Sequence, residues 1–433
     1  MNVEKDQRAE IRKMLDKIAK QSKPDQSCLK EIAHFVEKIN TIIKKNNVKA
    51  SCMTGGSVAK GTFLKGDFDV DLFVRFDYAQ YKDEDLSKIL GNVLKPLHPE
   101  LLHGSRDYFQ IKNNLVYEVI PVLKIDDWRM AKNVTDMSPL HVDYVRKHLK
   151  KNPKLADEIR LAKLFCKSAG VYGAESYIQG FSGHVLDLLI IQYGSFLKLL
   201  DAVSQEWGKK VVIDIENHLK DPQKELNRAK TQSPIILVDP LQPERNAAAA
   251  LSKEKYELFK RKAWEFLAQP SLMFFVKEEL TRESILRQFR ELQKTKDICL
   301  ALISLIPLDK KPDVAGAKLM KAAEYVKKNI LAHEFMIVQE GWSYRENTSL
   351  IYIVTEHVQL SPFVLRNGPP LRKKGNVVAF RKKHHSQELL ESHGRICALE
   401  KRKYLDVKTL VLALIKDSYF KEKVKSVAAT EFL

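Results

Sequence analysis

The sequence predicts a multidomain α+β protein, and three features of its hydrophobic pattern carry that expectation. Residues 68 to 76, FDVDLFVRF, alternate strictly between apolar and polar, the period-two signature of a half-buried strand. Residues 155 to 268 instead repeat apolar side chains at helical spacing, through LAKLFCKSAG and HVLDLLIIQYGSFLKLL, as a helix-rich region does. After PSLMFF at 270 to 275, short apolar runs and helical stretches mix again. Three parts are therefore expected: 1–150 with a mixed sheet and helices, 151–275 helical, and 276–433 again α+β. At about 150 residues per domain, a chain of 433 residues can supply three cores.

The elements follow in order. Leu29, Ile32, Val36, Ile39 and Ile43 step by three and four, which predicts a helix over 28–43 with one apolar face. A strand is expected near 48–53. In TGGSVAKGT at 54–62, two glycines and small hydroxyl residues free the backbone to turn and present N–H groups before a short helix. In the alternating strand, Phe68, Val70, Leu72, Val74 and Phe76 share one face, and Asp69 and Asp71 the other. A third strand, 115–124, carries Glu118. Farther on come a helix in 252–267, a strand at 298–306, a long helix at 314–331 and strands near 334–341 and 349–359. A basic helix follows the NGPP turn at 367–370, then a strand at 395–403 and a last helix from 406.

Composition narrows the function classes. With 44% hydrophobic and 30% charged residues, the chain is neither disordered nor collagen-like. Its net charge of +18 points to a polyanionic partner. The charge clusters: residues 366–403 hold eleven Lys or Arg against three Glu, with Phe380 and Tyr404 nearby. Arg372, Lys373, Lys374, Arg381, Lys382 and Lys383 are therefore candidate RNA-phosphate contacts; a merely solvated helix face is the bland alternative. The five cysteines have no C-x-x-C pair, so neither a disulfide framework nor a zinc site is expected, and reduced thiols suit the cytoplasm. The opening MNVEKDQRAEIRKMLDKIAK lacks an apolar export segment, and the apolar stretches around 185–200 and 298–308 are short or interrupted by Asp187 and Lys198; no membrane span is expected.

Asp69 and Asp71 leave one face of their strand roughly 6.6 to 6.8 Å apart. With Glu118 on an adjacent strand, three carboxylates could hold two Mg²⁺ ions for in-line phosphoryl or nucleotidyl transfer. A lone D-x-D is more often a water-facing strand edge, but this one follows G-G-S after eleven residues. Gly56, Ser57 and Lys60 could cradle a triphosphate there.

GGSVAKGTFLKGDFDVDLFV resembles the GS-x(10–12)-[DE]-x-[DE] signature of the polymerase-β-like nucleotidyltransferase superfamily. YEVIPVLKI at 117–125, VYGAESYIQGFSGHVLDLLIIQYGSF at 171–196 and VDPLQPERNAAAALS at 238–252 look like the archaeal, class I CCA-adding enzymes, tRNA nucleotidyltransferases, over about residues 28–420. The resemblance implies a nucleotidyltransferase domain, a helical domain closing over the nucleotide and an RNA-binding region. It implies addition of C, C and A to the tRNA 3′ end from CTP and ATP, with Mg²⁺ on Asp69, Asp71 and Glu118. It also implies triphosphate contacts from Ser57, Lys60, Ser138, His141, Lys163 and Tyr172, and base recognition by Arg245. Read on the residues alone, His141 could be a half-buried cap, Lys163 a solvated lysine, Tyr172 a packing aromatic and Arg245 a partner for Glu244. The chain departs from the usual family pattern, which more often has Glu-x-Asp with Asp as third carboxylate and arginine in place of Lys60, and it ends sooner after the final helix. A poly(A) polymerase or oligoadenylate synthetase and a catalytically silent RNA-binding relative are the alternatives. A homodimer is left open.

Overall fold

Two amphipathic helices, α1 (Asn2–Gln21) and α2 (Gln26–Lys45), precede the first strand in the computed structural model, which describes residues 2–309, 311–345, 347–357 and 359–433. Ile32, Phe35, Ile39 and Ile43 of α2 are buried against a five-stranded sheet, as their spacing requires. Its strands are β1 (Ala50–Thr54), β2 (Val70–Phe76), β3 (Glu100–Leu102), β4 (Tyr108–Lys112) and β5 (Val116–Leu123), in the order β1-β2-β5-β4-β3. Only β2 and β5 run parallel, so the sheet is mixed. A short helix, α3 (Gly56–Lys60), joins β1 to β2; α4 (Tyr78–Tyr81) and α5 (Leu86–Leu94) follow β2. Val70, Leu72, Val74 and Phe76 pack toward α2 and α5, while Phe73 on the opposite face meets Val122 and Val142. The alternation is thus a true two-faced strand, although β2 begins at Val70 and Asp69 stands just ahead of it.

The helical stretch comprises α6 (Ser138–Lys151), α7 (Leu155–Ser168), α8 (Gly183–Tyr193), α9 (Phe196–Gln205), α10 (Pro222–Glu225) and α11 (Lys253–Ala268). Ser182, Ser195 and Ser252 cap α8, α9 and α11 by accepting from the N–H groups of Val185, Lys198 and Lys255. Phe165 is fully buried among Phe196, Phe259, Phe266, Phe274 and Phe275, with ring centroids 5.4 to 6.1 Å away. Two parallel strands, β6 (Val211–Ile213) and β7 (Ile235–Leu237), interrupt the helices. Three residues apiece are too few to show a period, so the sequence conceals them. All of this, through Lys277, forms one compact unit, and residues from Glu278 form another.

The second unit contains α12 (Arg282–Gln293), β8 (Ile298–Ile306), α13 (Pro312–Ala332), β9 (Ile337–Ser343), β10 (Ser349–Glu356), β11 (Phe363–Pro370), α14 (Lys374–Lys383), β12 (Glu388–Ser392), β13 (Arg395–Lys401), α15 (Val407–Leu414), α16 (Ser418–Lys421) and β14 (Ser426–Phe432). An antiparallel sheet, β14-β8-β10-β9, has α13 and α15 on one face and α12 on the other. Burial on both faces explains why β8 reads ICLALISLI without alternation. The NGPP segment, expected as a turn, instead ends edge strand β11 in the small sheet β11-β13-β12. An edge tolerates the missing proline N–H groups, and the register shifts between Asn367 and Pro370. Strands β12 and β14 were also not foreseen. The five cysteines are free thiols. Among the described residues no helix is long and apolar enough to cross a membrane.

Phe165→Ala should cost about 3–5 kcal/mol of stability, because the surrounding rings cannot close over the void. Equilibrium denaturation checks this, and a loss below ~1 kcal/mol would show that the aromatic cluster repacks freely.

Candidate active site

The parallel pairing of β2 with β5 sets Asp71 directly opposite Glu118, at the ~4.8 Å spacing of neighbouring strands. Asp69 lies two residues back and is exposed, whereas Asp71 and Glu118 are half-buried. The consequence is electrostatic. Burial and then repulsion from Asp71 and Asp69 push Glu118 up to about 7. Burial likewise carries Asp71 to about 6, with Asp69 adding to the rise and Lys60 and Lys163 opposing it. Burial, followed by nearby Asp67, raises Asp69 as well. Hard carboxylate oxygens that repel one another fit a divalent cation. Gly56, at φ +48, lies against Asp71, and a methyl group there would overlap the carboxylate. Ser57 sits half-buried on α3 beside it.

Cations stand behind the carboxylates. Arg160, Lys163 and Lys167 form one stripe on α7 and fix the loop between α3 and β2. Arg160 donates to the Gly61 carbonyl. Lys163, only 3% exposed, donates to the Thr62 carbonyl at 3.1 Å and hydroxyl at 3.2 Å, and Lys167 pairs with Asp67 at 2.8 Å. Burial lowers Lys163 to about 8. Lys60 pairs with Asp187 of α8, which is fully buried and whose Oδ1 has no hydrogen-bond partner among the described residues. Tyr172 lies under Lys167, whose Nζ is 4.8 Å from the ring centroid. Its hydroxyl reaches so close to Gly183 that a Cβ there would stand 3.1 Å away.

His141 and Arg245 are brought together elsewhere in the same unit, around Asp239. His141 Nε2 donates to both Asp239 oxygens at 3.0 Å, and Arg245 Nη1 donates to Oδ2 at 3.0 Å. The N–H groups of Leu241 and Gln242 donate to Oδ1 at 3.0 and 3.2 Å. Burial alone would raise Asp239, but the His141 hydrogen bond and charge hold it far below the usual carboxylate range. His184 Nε2 stands 3.8 Å from Oδ2, too far for a hydrogen bond, and burial lowers its pKa. The ligand atoms of His141, His184 and Asp239 all lie within 4.8 Å of one another, a spacing that could accept a metal. Asp239 is nonetheless already saturated by donors, which makes the cluster a hydrogen-bond hub. Ser138 opens α6 one turn before His141. Helix α8 links the two groups, since Gly183 and Asp187 face the lysines and His184 faces Asp239. Asp187, His184, Asp239 and Thr62 were not singled out from the sequence, although a lone Asp inside HVLDLLII already demands a buried partner.

In the second unit, Arg372, Lys373, Lys374, Arg381, Lys382 and Lys383 are all exposed on α14 or the segment leading into it. Only Arg381 has an ion-pair partner among the described residues, Glu391 at 3.8 Å.

Residues 36–166, which carry the carboxylate-bearing sheet, match a family model described as nucleotidyltransferase domain, and the class of protein is accordingly a nucleotidyltransferase. Solved structures agree on the fold: a cytoplasmic RNA terminal U-transferase superposes with a TM-score of 0.50 over 63% of this chain and 100% of that one, at 13% identity. The Cid1 poly(U) polymerase gives 0.50 over 62% and 99%, at 12% identity. The remainder of the chain is more specific. Residues 157–276 match tRNA nucleotidyltransferase, second domain, and 306–432 match CCA-adding enzyme, C-terminal domain. The CCA-adding enzyme of Nanoarchaeum equitans is 33% identical over 82% of this chain and 85% of its own length, and that of Pyrobaculum aerophilum 30% over 89% and 88%. The chain belongs to the CCA-adding enzyme family.

The raised carboxylates have a sign that can be measured. In the folded chain Glu118 binds its proton up to about 7, against roughly 4.3 when unfolded. Its contribution to stability is therefore most favourable at acid pH and is lost as pH rises from roughly 4.3 through about 7. Without divalent cations, Glu118→Gln should gain stability relative to wild type as pH rises from about 5 to about 8. Melting curves in EDTA across that range check this; a constant difference between the two proteins would refute the raised Glu118 carboxyl, whose cause is burial first and repulsion second.

Proposed function

We infer that the protein completes the 3′ end of tRNA, adding C, C and A from CTP and ATP. The observation that carries the reading is the register of Asp71 against Glu118 beside Gly56 and Ser57, in a chain of the CCA-adding family. The RNA 3′-hydroxyl attacks the α-phosphorus; the new O–P bond forms as the bond to pyrophosphate breaks. Asp69, Asp71 and Glu118 would hold divalent cations, with Mg²⁺ favoured by their hard oxygens, and bound cations would neutralise charge on the transferring group. Ser57, Lys60, Ser138, His141, Lys163 and Tyr172 serve the triphosphate, where donors and positive charge stabilise a transition state without covalent help. Arg245 reads the incoming base. Residues 1–150, 151–275 and 276–433 act as catalytic, nucleotide-closing and tRNA-binding parts. Cytoplasmic tRNA is the substrate, contacted through its phosphates by Arg372, Lys373, Lys374, Arg381, Lys382 and Lys383.

Incubating the protein with tRNA lacking its 3′ end, and CTP, ATP, UTP or GTP singly and together, tests the reading: addition should stop after C, C and A. Asp69→Asn and Asp71→Asn should each slow addition by at least about a hundredfold while tRNA binding changes little. Turnover above a tenth of wild type would remove the metal role from these carboxylates.

Changing Arg381, Lys382 and Lys383 together to Ala should weaken tRNA binding and flatten the plot of log K against log salt by up to ~2 to 3 units, because fewer counterions are released. Single-turnover rates at saturating tRNA should stay near wild type. An unchanged salt slope would mean that the RNA backbone lies elsewhere.

A further inference from the structure

Asp239 accepts from His141, Arg245 and the Leu241 and Gln242 N–H groups, and its bonds define a loop. Its own N–H donates to the Arg245 carbonyl at 3.0 Å, and the Arg245 N–H donates to the Gln242 carbonyl at 2.9 Å. Its carboxylate collects the Leu241 and Gln242 N–H groups from inside the same turn. The loop is anchored at its far end by Asn246, whose amide donates to the Lys230 and Ile235 carbonyls at 2.8 and 3.0 Å and accepts from the Leu237 N–H at 3.0 Å. Asp239 is completely buried, yet the Arg245 side chain it grips is 47% exposed. One end of the guanidinium is thus committed to the protein, while its other N–H groups face outward and bond to nothing among the described residues.

That arrangement matters for selectivity. Cytosine and adenine both place an acceptor ring nitrogen beside an exocyclic amino group, whereas uracil and guanine place an N–H donor at the corresponding ring position. A donor held still pairs with the first two and leaves a donor facing a donor with the others, which a site penalises because neither group is satisfied. A guanidinium free to swing could retreat and admit the wrong base. Rigidity is therefore part of the discrimination, and Asp239 supplies it. The same carboxylate holds His141 of α6, whose ring packs 4.5 Å from that of His184, so the base-side arginine and the triphosphate-side histidine are fixed to one point.

We propose that Asp239 is a specificity-determining positioning residue, which selects C and A over U and G by clamping Arg245 and His141 to a single buried carboxylate. The proposal rests on the reading of Arg245 as the base-contacting group, and the test separates the two. Asp239→Asn removes the negative charge and leaves one acceptor oxygen, so it holds Arg245 and His141 more weakly; Asp239→Glu keeps the charge but displaces the oxygens, and serves where the amide variant does not fold. Each is compared with Arg245→Ala and with the double variant in single-turnover incorporation of the four nucleotides, beside tRNA binding. The expected result is a fall of about ten-fold or more in the preference for CTP over UTP and ATP over GTP, a raised KM for CTP and ATP, near-normal tRNA affinity, and a double variant no less selective than Arg245→Ala. If both Asp239 variants keep wild-type selectivity while Arg245→Ala loses it, the clamp is wrong and the base-reading role stands. If Arg245→Ala leaves selectivity unchanged, the base-reading role falls and the clamp with it. Losses that multiply in the double variant would show that Asp239 acts independently of Arg245, which also overturns the proposal.

Discussion

Like charges that must stay together in a half-dehydrated place are the constraint on which the amino-terminal unit is built. A parallel β2–β5 pair puts Asp71 and Glu118 side by side, and nothing in their immediate contact favours that. The apolar face of the sheet supplies the compensation. Val70, Leu72, Val74 and Val119 are wholly buried around the same residues, so sliding the register to separate the acids would turn each strand's apolar set toward solvent. The acids are held apart from water and near each other by packing, and the resulting repulsion makes the place receptive to cations.

The positive charge around them is just as constrained. A buried ion pair such as Lys60–Asp187 rarely adds stability over an apolar pair of similar size, because both charges lose water. Its retention in the core therefore argues for chemistry. Helix α7 reconciles the two demands: Ile159, Phe165 and Cys166 enter the aromatic core, while Arg160, Lys163 and Lys167 grip the loop that leads from α3 into β2. One helix thereby ties the helical core to the loop that carries the carboxylates through charged side chains, and α8 adds Asp187, the partner of Lys60.

What was legible in the residues follows from the range of the interactions involved. The alternation of β2, the stripe of α2 and the long run of β8 are local patterns, and each appears in the structure within a few residues of its expected bounds. Asp69 and Asp71 could be singled out because they alternate with apolar residues shortly after a glycine-rich turn, and Glu118 because it is an acid within an apolar strand run. The short strands β6 and β7 were illegible for want of length, and NGPP misled because two prolines read as a turn when an edge strand also admits them. Asp187, His184 and Asp239 were hidden for a different reason. Their meaning lies in partners far along the chain, and only the fold reveals that Asp239 touches both His141 and Arg245. The basic surface of α14, by contrast, could be found by counting, because an exposed helix needs no tertiary partner.

The residues of this centre run from Gly56 to Arg245, in an order that has consequences for synthesis. At roughly 5–20 residues per second on the ribosome, the interval between the appearance of Glu118 and that of Arg245 is on the order of ten seconds. Parallel pairing such as β2–β5 closes a long loop and is intrinsically slow. Over that interval a nascent chain has its three acids, gains Lys163 and then Asp187 partway through, and lacks the Asp239 loop until the end. The Lys60–Asp187 and His141–Asp239 pairs thus join pieces made early to pieces made late, and close only after both strands of the β2–β5 pair exist.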